Sequence, residues 1–337
     1  MLIYLLRRTA LALLFVLLVA SLALVIVRLA PGDYAADLFG VGADPALVAA
    51  TRATYGLDRP ILEQYAGWLG HAARFDFGTS LLYRRPVADL VVQRAANTAI
   101  LAITALAIAT LAGLPLGVLA GSRRGTGPTV VRGASIFFLS VPPMLLSLLL
   151  VFIAARTGWL PVGGMTSSAI DSGFGIGDSG LGIRGLGFEV RAWVAWARDV
   201  AWHLPVPALA LALPVGAMLE RLLAQSMAET IRAPFIVAAE SRGLSRARLV
   251  WRHAFRIALQ PVIAIYGLIV GTLLSGSFMV EIITAWPGLG RLTYDALRGR
   301  DVYLVAGCAA AGAVFLAIGS VMSDVAQAAI DPRVRER

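Results

Sequence analysis

Every one of the 29 basic residues among the 337 is arginine; the chain contains no lysine. A Walker-type phosphate loop needs a lysine to reach the β- and γ-phosphates, and Schiff-base catalysis needs one as its nucleophile. Both chemistries are therefore excluded from this chain. Cys308 is its only cysteine, which leaves no intrachain disulfide and no thiolate metal cluster. His71, His203 and His253 are scattered, none in an HExxH spacing, so no metal site is expected. The string Gly175-Ile176-Gly177-Asp178-Ser179-Gly180 matches the G-x-G-x-x-G of dinucleotide sites. Such a site needs a buried strand before it and a helix after it; here more glycine surrounds the string, and it reads as part of a flexible loop.

The informative segment is 221–256, which carries seven arginines. Pro234 suits the first turn of a helix, and Gly243 suits its C′ position, where positive φ is needed. Ser245 suits the N-cap of a second helix running to about Arg256. The expected form is two short helices about a tight turn, studded with arginine and exposing Leu244, Leu249 and Trp251. A plain solvated connector has no need of that apolar set, so the segment reads as a docking knob for a partner, with an interfacial amphipathic element as the bland alternative. A second cluster is Glu281 with Trp286, Pro287, Gly288, Gly290 and Arg291. Its prolines and glycines make a tight turn, and irregular backbone at membrane depth can also line a cavity.

The elements that must position these residues are membrane spans. The chain is 58% hydrophobic and 15% charged, with a mean hydropathy of +0.79, too little charge for the polar shell of a soluble domain. Six stretches have the length and apolarity to span: Thr9–Val27, Thr98–Gly121, Gly133–Ala155, Leu204–Leu219, Ile257–Val280 and Val302–Met322. The fourth is short and holds Pro205, Pro207 and Pro214, so it belongs inside a bundle where neighbours satisfy the freed carbonyls. The first follows Arg7 and Arg8 but is longer than a signal-peptide core and lacks a cleavage site, so it is expected to be a retained anchor. Glu220 and Asp324, near span ends, are read as solvated, and Arg28 and Arg156 as snorkelling.

With both termini cytoplasmic, the inside segments hold 15 Arg against four acids, and the outside segments 12 Arg against 14 acids. The positive-inside rule selects that orientation. The organisation is then 1–29 as cytoplasmic end and first span, 30–96 as an extracytoplasmic helical subdomain, 97–326 as the spanning core, and 327–337 as a cytoplasmic tail. Within the core, 157–202 is an outer loop and 221–256 an inner one. Asp44-Pro45 and Asp58-Arg59-Pro60 are helix starts in the subdomain. Residues 163–187 are glycine- and serine-rich. In 190–202, Trp193, Trp196, Ala197 and Val200 share a face with Arg191 and Arg198 off it, the pattern of an interfacial helix, with Trp159 and Trp202 in an aromatic belt.

The 231–261 segment resembles the EAA-type coupling loop of ABC-importer permeases, in the branch that carries peptides or nickel. Ala239, Gly243, Leu244, His253, Ala254, Arg256, Ala258 and Pro261 match that branch. Val237 stands where the general motif has Glu, and Glu240 and Arg242 replace the branch's Arg and Lys. The likeness extends over nearly the whole chain, through Pro31-Gly32-Asp33, Gly56–Pro60, Gln64-Tyr65, Phe75–Ser80, Arg85–Val87, Gly271–Leu274, Glu281, Trp286–Arg291, Asp295–Leu297, Arg300-Asp301 and Asp331–Arg333.

What the resemblance implies is an all-α integral membrane protein of the type I importer-permease kind, multi-pass in the bacterial inner membrane. It implies a second homologous permease subunit, two cytoplasmic ATPase subunits that bind ATP and Mg, and an extracytoplasmic binding protein that delivers the substrate. It implies no cofactor in this chain, no enzymatic activity and no nucleic acid. The implied ATPase-coupling residues are Ala238, Ala239, Glu240, Arg242, Gly243, Leu244, Ser245, Arg248, Trp251 and His253. Glu281, Trp286, Pro287, Gly288, Gly290 and Arg291 become candidates for an external gate. Di- or oligopeptides are the implied cargo, with nickel or another small solute as the alternative. An ion-coupled carrier is disfavoured by the near-absence of ionisable residues at span centres and of internal repeats, and an intramembrane enzyme by the lack of a catalytic pair.

Overall fold

The computed structural model describes residues 2–30, 32–40, 44–72, 74, 76–167 and 190–330, with side chains outside 2–7, 190–192 and 324–330. Pro31, Phe75, the Gly175–Gly180 string, most of the glycine-rich stretch, the Arg191 and Asp324 side chains and the terminal Asp331–Arg333 lie outside these residues. The helices are α1 (Leu2–Leu29), α2 (Tyr34–Phe39), α3 (Pro45–Thr54), α4 (Ile61–Ala72), α5 (Val87–Ser122), α6 (Thr126–Ser140), α7 (Pro143–Thr157), α8 (Val190–His203) and α9 (Pro205–Thr230). They continue with α10 (Pro234–Ser241), α11 (Arg246–Arg248), a π-helical stretch Leu249–Ala254, α12 (Phe255–Ala258), α13 (Gln260–Ala264), α14 (Tyr266–Ile283), α15 (Leu289–Arg298) and α16 (Val302–Ile330). Among the described residues the one β feature is an isolated bridge between Thr79 and Pro86.

Among the described residues five helices are long and apolar enough to cross a membrane: α1, α5, α9, α14 and α16. The expected span Gly133–Ala155 is not one straight helix. It is α6 and α7, bent by 104° at the break between them. Pro142 and Pro143 cause the break: Val141 is driven into extended backbone (φ −97°, ψ 118°) by the proline after it, and Pro143 opens the next helix. The fourth expected span, Leu204–Leu219, runs on to Thr230. Its hydropathy stops at Glu220, but buried Leu223, Ala224 and Met227 continue the packed face, and packing carries the helix further.

The described residues fall into two compact units, one from 2–98 and 287–314, the other from 99–167, 190–286 and 315–330. In the first, Ala20 and Leu24 of α1 cluster with Trp68 of α4 and with Val302, Ala306 and Ala310 of α16. The short helices are fixed by local capping. Asp33 accepts from Ala36 N and Asp44 from Ala46 N, both at 2.9 Å. Arg28, expected to snorkel, instead donates to the Leu57 carbonyl and so ties the end of α1 to the α3–α4 connection.

In the second unit α9 is the central helix, with 61% of its spanning window buried against 11% for α1 in its own unit. Gly113, Gly117 and Gly121 of α5 recur every four residues and face Gly216, Glu220 and Ala224 of α9. A Cβ at these three positions would lie 2.6, 2.9 and 2.5 Å from the backbone oxygens of those partners. The two backbones touch, the close approach that small residues permit between spans. Further along, the backbone between α13 and α14 is interrupted, and Ser323 Oγ of α16 covers it by donating to Ile263 O (3.2 Å) and Ala264 O (3.4 Å).

Candidate functional site

The 233–256 segment begins where α9 ends. Ala233 is extended (φ −65°, ψ 143°), and Pro234 takes the first position of α10. At the other end of α10 the Leu244 N–H donates to Ala239 O (3.4 Å) and the Gly243 N–H to Glu240 O (2.9 Å). These are the 6→1 and 5→2 bonds of a Schellman turn, with Gly243 at C′ and φ +83°. A Cβ on Gly243 would meet open space, so glycine is required there by backbone conformation and not by crowding. Ser245, extended again (ψ 143°), precedes α11, and its carbonyl accepts from Leu249 N at 3.0 Å.

The second helix is not the short one expected. After α11 it passes into the π-helical stretch Leu249–Ala254, then through α12 and α13 toward α14. One added residue per turn rotates the side chains beyond it, and such segments concentrate where a helix must redirect its surface. Leu249, expected to be exposed, is 4% exposed. The π turn points it inward, and Ile236, Ala254 and Ala258 join the core of the second unit and anchor the segment.

The outer surface carries the chemistry. Phe235, Val237 and Trp251 are each about half exposed (48, 52 and 54%), and the Trp251 ring meets Phe255 at 5.7 Å. Arg242, Arg246, Arg248, Arg252 and Arg256 are exposed around them. Of the expected coupling residues, Ala238, Glu240, Arg242, Gly243, Ser245, Arg248 and Trp251 are exposed, while Ala239, Leu244 and His253 are half-buried. The arrangement is an apolar patch within a cationic field, whose complement is an acidic surface with an apolar recess. Arg246 Nη2 also donates to Ser122 O (3.3 Å), the last residue of α5, where a cation meets the negative end of the helix dipole.

The other cluster stands at the far end of α14, whose 18 residues span about 27 Å. In the second unit Glu281 and Trp286 are fully buried. Thr284 O accepts from Gly164 N at 2.8 Å, and Ala285 is held at φ +52°, a strained value for a side chain with a Cβ. In the first unit Pro287 O accepts from Asn97 Nδ2 (2.8 Å) and Arg94 Nη1 (3.3 Å), and Leu289 N donates to Thr98 Oγ1 (2.7 Å). The chain does not enter the last span by a turn alone, since α15 intervenes. Leu289, Leu292 and Ala296 bury one face of that helix, a spacing of three and four that is visible in the sequence. Glu220, expected to be solvated, is 2% exposed, and its backbone is seated against Gly117 of α5.

Residues 113–336 match the model of the family described as the binding-protein-dependent transport system inner membrane component. The chain belongs to this family. Residues 1–102 match the N-terminal model of the same membrane components. The chain is 31% identical over 346 residues to the dipeptide transport system permease protein DppB of Escherichia coli, with 100% of each chain covered. It is 30% identical over 338 residues to the oligopeptide transport system permease protein AppB of Bacillus subtilis, covering 98% of each. It is 35% identical over 333 residues to a putative peptide transport system permease protein of Brucella abortus, again covering 98% of each. The family fixes the fold as that of a type I importer permease and the protein as a multi-pass inner-membrane permease. The all-helical span pattern agrees with it.

Proposed function

We propose that this chain forms one half of the translocation path of a peptide importer, driven by ATPase subunits that grip the 233–256 segment from the cytoplasm. The observation that carries the reading is the Gly243 turn. It fixes α10 and the π-helical stretch so that Phe235, Val237 and Trp251 stand exposed among five arginines at the ends of two spans. The peptide cargo is inferred from the relatives, whose names give dipeptides, oligopeptides and peptides as what they transport.

Both termini lie in the cytoplasm, and a second permease subunit completes the path. An extracytoplasmic binding protein delivers the peptide near the Glu281–Arg291 stretch, which acts as the outer gate. The ATPases supply a difference in contact energy between two states, and the segment transmits it. This chain contributes no acid, base or nucleophile to hydrolysis.

The test is capture of the ATPase subunits by the full chain in detergent, beside ATP-dependent peptide uptake in cells. Replacing Phe235 and Trp251 together by Ala removes the apolar centre of the patch. Capture and uptake should both be lost at an unchanged membrane level of the chain. Undiminished capture would defeat the docking role. Uptake of a metal ion or sugar in place of peptide, with capture intact, would defeat the cargo assignment alone.

A further inference from the structure

Glu220 is 2% exposed, and its Oε1 has no hydrogen-bond partner among the described residues. A carboxylate withdrawn from water is costly unless a cation or donor meets it, and within a span such a group marks a site by default. The side chain lines a cleft of about 330 Å³ between α6 and α9, within the size range of small-molecule sites. The other walls are Arg132, Ser135 and Ile136 from α6, and Arg221, Ala224, Gln225 and Ala228 from α9. Arg132 Nη2 donates to Ala120 O at 2.6 Å, which uses one of its five N–H donors. The cleft thus sets a buried acceptor that lacks donors beside two guanidiniums.

Its place along the helices narrows the ligand. The apolar run of α9 stops at Leu219 and that of α6 begins at Gly133, so Glu220, Arg221 and Arg132 stand where hydrocarbon gives way to headgroups. Ile136 of α6, one wall of the cleft, is 56% exposed and lies on the hydrocarbon side of Arg132, an apolar flank suited to an acyl chain. We propose that this cleft binds the headgroup of a zwitterionic phospholipid bearing a primary amine, of the phosphatidylethanolamine type. The ammonium donates to Glu220, and the phosphate lies against Arg132 and Arg221, whose planar forks suit its oxygens. A choline headgroup has the charge but no N–H donor. A glycerol headgroup leaves Glu220 without a cation. A free peptide is also zwitterionic, but it has no use for the exposed apolar flank. The site is independent of the cargo proposed above.

The test is native mass spectrometry of the full chain from micelles holding equal amounts of ethanolamine and choline phospholipid. Wild type should retain the ethanolamine lipid about tenfold more, the worth of one charge-assisted hydrogen bond. Glu220→Gln should bring that ratio close to one, while Arg132→Gln should weaken retention of both lipids. Equal retention by wild type, or an undiminished preference in Glu220→Gln, would overturn the site. Displacement of the lipid by added dipeptide would also overturn it, since the occupant would then be a soluble zwitterion. Should Glu220→Gln fail to insert, stepwise N-methylation of the headgroup on wild-type protein decides. Retention should fall to the choline level as N–H groups are lost, and retention indifferent to methylation would count against Glu220.

Discussion

Ser80 and Asp301, 221 residues apart in sequence, are joined by a hydrogen bond of 2.6 Å from the serine hydroxyl to Asp301 Oδ2, with both residues buried. The same oxygen accepts from Leu82 N at 3.0 Å, and Oδ1 accepts from Leu304 N at 3.1 Å. Asp301 therefore caps α16 and, with its other oxygen, fixes the loop that leads into α5. One carboxylate holds two distant stretches of the first unit in register.

Asp301→Ala should destabilise that unit by about 3 kcal/mol, because two buried donors and a partly buried one lose their acceptor together. Ser80→Ala should cost about 1 kcal/mol, since the two backbone bonds to Asp301 persist. Thermal unfolding of the purified variants in one detergent measures both. Equal losses would mean that the serine, and not the carboxylate, organises the contact.

At the α5–α9 contact, Gly117→Ala would place a Cβ 2.9 Å from both Glu220 O and Leu223 Cβ, and Gly121→Ala one 2.5 Å from Ala224 O. Backbone oxygens cannot step aside as a flexible side chain can. Each substitution should cost about 1–3 kcal/mol, with valine worse than alanine. Gly127→Ala meets nothing within 4 Å and should be neutral. Membrane levels and unfolding temperature of the three variants provide the comparison.

For Gly243 the expected effect is on coupling and not on folding. A Cβ residue at φ +83° costs about 1–2 kcal/mol, and a β-branched one more, so Gly243→Val should distort the Schellman turn and abolish ATP-dependent uptake. Gly243→Asn should keep most activity, because asparagine tolerates left-handed backbone. Uptake is measured per unit of chain in the membrane; wild-type uptake by the valine variant would remove the turn from the mechanism.

Asp33 supplies a pH test. Burial alone would raise its pKa, but the Arg52 hydrogen bond, the Ala36 N–H and the charges of Arg52 and Arg28 outweigh it, and the carboxyl lies below its ordinary 3.8. A lowered folded pKa stabilises above the unfolded value, and that contribution is lost as pH falls through the folded one. Wild type should therefore exceed Asp33→Asn in unfolding temperature by a constant margin above about pH 5. The margin should shrink below pH 3.8. A margin unchanged into that range would show that Arg52, 2.6 Å away, does not stabilise the charged form.

The features legible in the sequence are those that short-range rules govern. Pro234 and Gly243 obey capping rules that involve neighbours within five residues, and the structure places both accordingly; Ser245 takes the N-cap position, but its hydroxyl makes no cap hydrogen bond. The bend at Pro142–Pro143 obeys an equally local rule, but the long apolar run around it masks the signal. The extension of α9 past Leu219 and the burial of Glu220 are not legible. Both depend on a helix about a hundred residues earlier, brought close by glycines whose spacing is visible but whose partner is not. Leu249 faces inward because a π turn changes the phase of the side chains, and ordinary helical periodicity assigns them to the wrong side.

On the docking role proposed above, the glycine contact between α5 and α9 would set how a push on the 233–256 segment is delivered. Backbones seated on each other at 113–121 and 216–224 leave no side-chain cushion to compress, so the two helices cannot shear past one another by small repacking steps. The 233–256 segment leaves the end of α9 and, through Arg246, also holds the end of α5. A displacement of that segment therefore loads a stiff double strut along its length rather than flexing a single rod. On the same proposal, loosening the strut would let the ATPases turn over while the far end stays still, consuming fuel without moving cargo.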